Sequence, residues 1–94
     1  DILGGNFREI STAQKQQYNI SNGLEVIKVN SGKLKEEGIS KGFIIQKVND
    51  VAVKTIEDLQ QIVKEASTSK DPVLYIQGIY PTGKKAYFAV PLQD

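Results

Sequence analysis

The sequence predicts an α+β domain: about six strands and two or three short helices, folded as a small, partly open barrel that the helices cap. Three observations carry this reading. Short apolar stretches bounded by Asn, Ser, Gly and Pro recur along the whole chain, which marks strands separated by turns. One stretch alone has sustained helical periodicity, with Leu59, Ile62, Val63 and Ala66 at i, i+3, i+4 and i+7, and it lies between the fourth and fifth strands. The 94 residues suffice for one modest core, so a sheet face and that helical stripe must cover each other.

Residues 3–10 read as the first strand, with Leu3, Gly5 and Phe7 on one face at period two. Ser11-Thr12-Ala13-Gln14 has the spacing of a capping box and starts a short helix that reaches about Tyr18. Leu24–Val29 is a second strand, after a loop of Asn, Ser and Gly. Lys33 to Glu37 makes about one helical turn, stopped by Gly38. Phe43 to Val48 is a strongly apolar strand. The pair Asn49-Asp50 tolerates φ > 0 and leads into the short strand 51–53. Thr55-Ile56-Glu57-Asp58 is a second capping box, opening the helix 56–66. Strands 73–77 and 86–90 close the chain, joined by a turn at Pro81-Thr82-Gly83.

Composition removes several function classes. Twelve basic against eleven acidic residues leave a net charge of +1, without the clustered basic face that nucleic acid requires. The densest pairs, Lys33/Lys35 and Lys84/Lys85, read as solvated loop ends. No apolar run approaches the ~20 residues of a membrane span. The chain has no His and no Cys, so it lacks Ser-His-Asp and Cys-His nucleophiles and His/Cys zinc sites. Neither metal nor cofactor is expected. Glu36/Glu37 and Glu57/Asp58 make no acid–base pair; the latter suit a helix N-terminus. Tyr75, Tyr80, Tyr87 and Phe88 read as core or sheet-surface residues rather than a stacking platform. The abrupt opening at Asp1, in what reads as a strand approach, suggests an excised fragment covering one domain, residues 1–94.

The opening Ile2-Leu3-Gly4-Gly5-Asn6-Phe7 carries chemistry. Glycines permit φ > 0 and close approach of another chain, and successive N–H groups in such a turn converge into an anion nest. A strand edge directly after it offers pairing to an incoming peptide. The bland alternative is a flexible turn.

Three stretches resemble a PDZ domain, in the strand order of bacterial Do-like (HtrA-type) serine proteases. There the carboxylate-binding loop begins the domain, and the strand that comes first in animal PDZ domains comes last. Ile2-Leu3-Gly4-Gly5 is similar to the family's Gly-Leu-Gly-Phe-type loop. Gly38-Ile39-Ser40-Lys41-Gly42-Phe43, running on through Asn49-Asp50 to Val53, is similar to its central glycine–apolar–asparagine signature. Glu57-Asp58-Leu59 with Ile62-Val63 is similar to the groove helix. The ending, from Gly78 to Phe88, resembles the second PDZ domain of such proteases.

The resemblance implies a non-catalytic peptide-binding module of a periplasmic serine protease in protein quality control. The amides of Leu3, Gly4 and Gly5 would hold a terminal carboxylate. Leu3, Phe7, Leu59 and Ile62 would line the pocket for the last side chain, with Arg8 on the strand edge. The partners implied are C-termini or extended segments of unfolded client proteins. The alternative is a subunit-docking element with a vestigial groove, whose partners are neighbouring protease domains or subunits. Three departures bear on this. Phe43 stands where the family usually has Asp, Thr55 or Ile56 where a His often opens the helix, and Gly5 where a bulky apolar residue is usual. A glycine there is expected to widen the pocket floor for a bulky C-terminal residue.

Overall fold

A computed structural model describes residues 2–93. Asp1, read as the approach to the first strand, lies outside the described residues. The element order is β1 (Gly5–Glu9), α1 (Thr12–Tyr18), β2 (Leu24–Val29), α2 (Lys33–Glu36), β3 (Ile44–Val48), β4 (Val51–Ala52), α3 (Ile56–Ser67), β5 (Val73–Ile79) and β6 (Lys85–Pro91). The strands pair antiparallel in the order β1-β2-β3-β5-β6, with β4 hairpinned onto β3. The path does not close, so this is the expected six-stranded α+β fold with three helices and an open sheet. Residues 3 and 4 belong to a turn rather than to the first strand, because both have positive φ.

Local signals formed the elements they encode. Ser11 accepts from Gln14 N while the Gln14 side chain accepts from Ser11 N. Thr55 and Asp58 do the same at α3. α2 ends with Gly38 N donating to Lys35 O and Ile39 N to Leu34 O, with Gly38 left-handed. Asn49 and Asp50 both take positive φ in the β3–β4 hairpin.

The sheet is covered on both faces. Phe7, Leu24, Val26, Leu34, Phe43, Ile45, Val48, Leu59, Leu74, Ile76 and Val90 are among the residues of the main core beneath α3 and α2. Ile10, Ile44 and Ile79 form a second cluster on the other face, joined by Tyr18 at the end of α1 and by Ile20. β3 therefore buries both Ile44 and Ile45, which accounts for its continuous apolar run.

β5 runs two residues beyond the expected end, because Gly78 and Ile79 continue the strand. A Cβ on Gly78 would lie 2.1 Å from Ile44 O and 2.6 Å from the Phe43 ring. Phe43 fills that space, fully buried and edge-on to Tyr80 and Phe88 at centroid distances of 5.3 Å. Its departure from the family pattern is thus a matter of packing.

Candidate functional site

The loop before β1 is a tight two-residue turn. Ile2 N donates to Gly5 O and Gly5 N to Ile2 O, both at 2.9 Å, around Leu3 (φ 55°) and Gly4 (φ 86°). The β2–α2 connection holds this turn from behind. Asn30 N donates to Gly4 O at 2.7 Å and Leu34 N to Leu3 O at 3.3 Å. Gly4 and Gly32 pack backbone to backbone; a Cβ on Gly4 would sit 2.8 Å from Ser31 O, and one on Gly32 2.8 Å from Leu3 O. The second glycine of this contact was not evident from the sequence, because the contact joins residues 28 positions apart.

Of the three amides expected to hold a carboxylate, that of Gly5 is engaged by Ile2. The Leu3 N–H donates to no main-chain acceptor among the described residues. Gly5 does not widen the pocket floor. A Cβ there would come within 2.7 Å of Leu34 Cδ1 and 3.1 Å of the Phe7 ring, so these side chains already occupy the volume a larger residue would take.

Apart from the Ile2–Gly5 bridge, β1 pairs with β2 alone among the described residues. The Ile10 N–H donates to Gly23 O in the β2 direction. Alternation along an antiparallel strand then turns Arg8 and Asn6 toward β2, and Glu9, Phe7 and Gly5 toward the open edge. The Gly5 bonds to Ile2 agree with this phase. The main-chain groups of Phe7 and Glu9 thus face outward along the side on which α3 packs.

The expected groove side chains do not all serve one surface. Phe7, Leu59 and Ile62 are 8%, 2% and 7% exposed, so in this conformation they are core. Leu3, Ile56 and Val63 pack against that core and remain partly accessible. What surface Ile62 keeps opens toward Asn49, Val51, Glu65, Ala66 and Ser69, on the hairpin side of α3. Val63, assigned to the core by periodicity, is the more accessible of the two. Arg8 turns away from the open edge. Its guanidinium Nε lies 3.0 Å from Glu25 Oε1 across the sheet, and Gln14 Nε2 donates to the same oxygen at 3.0 Å. Burial pushes the Glu25 carboxyl up, but hydrogen bonds from Gln14 and Arg8 and the charges of Arg8 and Lys41 outweigh it, leaving it below its ordinary value.

Among the described residues no group of acidic side chains is arranged to hold a metal ion, and no helix is long and apolar enough to cross a membrane.

The chain is similar in fold to the HtrA3 PDZ domain, whose crystal structure holds a phage-derived ligand, FGRWV. The TM-score is 0.76 at 23% identity, over 96% of this chain and 82% of that one. No match to the chain is found among curated proteins. The family model for the PDZ-like domain matches residues 1–68, which include the opening turn, the β1 edge and α3. The chain belongs to the PDZ-like domain family.

Proposed function

We propose that this domain captures the C-termini or extended segments of client proteins as an added strand beside β1, with α3 as the opposite wall. As a PDZ-like domain it is a non-catalytic module. It serves the substrate handling of a serine protease of the bacterial Do-like type, in the periplasm, from the second PDZ position. The observation that carries the reading is the outward-facing main chain of Phe7 and Glu9 on an edge flanked by a helix. That is the geometry of β-augmentation. The ligand's last residue takes over the two bonds that Ile2 now makes to Gly5, so binding opens the turn. Leu3 is a non-glycine residue at positive φ, a conformation costing roughly 1–2 kcal/mol, and opening releases that strain. The solved HtrA3 PDZ domain with a peptide ligand supports the reading by analogy of fold.

The test is calorimetric titration with a peptide ending in a large apolar residue, as the free acid and as the C-terminal amide. The free acid binds at about micromolar strength or weaker, because a short peptide loses much of its gain to ordering. The amide binds much more weakly, since it lacks the charge that main-chain N–H groups stabilise. Equal affinities contradict a carboxylate anchor.

The engaged Gly5 amide favours one second reading, in which the groove is occupied in cis and the domain docks protease subunits. In that case neither peptide binds, and deleting the domain from its parent dissociates the oligomer.

A further inference from the structure

The sheet has another interrupted edge, on β2. β3 pairs with β2 only at Leu24 and Glu25, and the last bonds between the two run from Val26 N to Phe43 O and from Gly42 N to Val26 O. Beyond Val26 no strand among the described residues pairs with β2 on that side. Lys28 and Val29 continue with β1 as their partner strand, Ile27 lying at the register irregularity between them and Val26, while the chain before Gly42 turns away into α2.

A groove of about 510 Å³ opens beside this free stretch. Its apolar surface comes from Ile27 and Val29, over the buried Ile39 at its floor, and three cations, Lys28, Lys35 and Lys41, stand around it. Glu36 in α2 and Glu37, its C-cap, stand next to Lys35 in sequence but do not line the groove. The nearby carboxylate, Glu25, is taken by Arg8 and Gln14. Among the described residues no carboxylate lies in ion-pair reach of Lys28, Lys35 or Lys41. The groove thus joins a strand edge that is free on one side, an apolar strip and three cations that form no close ion pair, of which only Lys41 acts on Glu25 and from beyond contact distance.

We propose that this β2–α2 groove is a second binding site, for an extended acidic segment of a partner protein with apolar residues at alternate positions. The apolar side chains cover Ile27 and Val29, and the acidic ones, pointing outward, meet the lysines. The backbone of the segment extends the pairing that β3 abandons at Val26. Charge complementarity selects an acidic occupant over a basic one. This site lies across β2 from the β1–α3 edge and needs no terminal carboxylate, so it stands independently of the proposed function.

The probe is an acetylated, amidated heptapeptide alternating glutamate with valine and isoleucine, which has no free C-terminus for the first groove. It is titrated into the isotopically labelled domain and followed by amide NMR shifts. Shifts are expected at residues 27–29, 35 and 39–41, with those at 5–9 and along α3 unmoved. The triple variant Lys28→Gln, Lys35→Gln, Lys41→Gln changes only exposed side chains and should bind about tenfold more weakly, as the loss of three exposed ion pairs would give. The same peptide with lysine for glutamate should not bind. Shifts confined to residues 5–9 and α3, equal affinity for the triple variant, or no binding at millimolar peptide would each overturn the proposal. So would concentration-dependent shifts of the groove amides without peptide, which would mean that a second copy covers it. Dodecanoate reproducing the peptide's shifts at the same concentrations would also overturn it, in favour of a small anionic amphiphile.

Discussion

α1 and α3 begin with the same device and end in different roles. Both have a complete capping box, Ser11 with Gln14 and Thr55 with Asp58. Yet α1 buries no residue, and only Tyr18 at its end reaches a cluster. α3 buries Leu59, Ile62 and Ala66 against the main core. The cap decides where a helix starts; the apolar period decides whether the fold depends on it. Only α3 can serve as a rigid wall beside the β1 edge.

The largest expected effect tests that dependence. Leu59→Ala should cost about 2–5 kcal/mol, as deletion of a buried leucine does. Gln17→Ala, on the exposed face of α1, should stay within about 0.5 kcal/mol. Urea midpoints decide it; similar shifts would mean that α3 is no more embedded than α1.

The space under the α3 side can also be overfilled. Gly5→Leu should destabilise the fold by about 1–3 kcal/mol, because Leu34 and Phe7 already fill that volume. An unchanged midpoint with a shifted ligand preference would instead restore the wider pocket that the sequence suggested.

Next come the caps. Thr55→Ala should cost about 1 kcal/mol globally, whereas Ser11→Ala should cost about 0.5 kcal/mol and act mainly on the exchange of α1 amides. The same change at Thr68, the C-cap of α3, should do less than either. Equal global losses at Thr55 and Ser11 would erase the distinction between the helices.

The smallest effect separates the caps by charge. Amide donors of Lys54 and then Thr55 hold the Asp58 carboxyl below the usual carboxylate range. A carboxylate with a lowered folded pKa contributes stability above its unfolded value, about 3.9, and loses it as pH falls through the folded value. The cap of α3 should therefore weaken on acidification through that range. The cap of α1 uses the Gln14 amide, which does not titrate, and should not weaken. Asp58→Asn should flatten this part of the stability profile. An unaltered profile would show that the Asp58 bonds add nothing.

Much of this was legible in the sequence because it is local. Both caps, the Asn49-Asp50 turn, the Gly38 stop and the α3 stripe each depend on residues within a few positions. What stayed hidden is set by distant contacts. The fifth strand reads as ending before Gly78 until Phe43 is seen beneath that glycine. Gly5 reads as open space until Leu34 fills it. The resemblance puts Leu59 and Ile62 on one groove wall, but Leu59 is enclosed and Ile62 opens toward the β3–β4 hairpin. Arg8 reads as a residue of the strand edge, but its register partner Glu25 draws it over the sheet. The β1 edge itself was legible, whereas the hold of Ile2 on Gly5 was not.

The central claim is that a ligand strand pairs with β1, and amide hydrogen exchange tests it at single residues. The amides of Phe7 and Glu9 face the open edge, while that of Arg8 already bonds within the sheet. Saturation with a free-acid peptide should slow exchange at Phe7 and Glu9 and leave Arg8 nearly unchanged, an alternating pattern that only an added strand produces. Uniform slowing across residues 5–9, or none at Phe7 and Glu9 while the peptide is bound, would contradict strand addition at this edge.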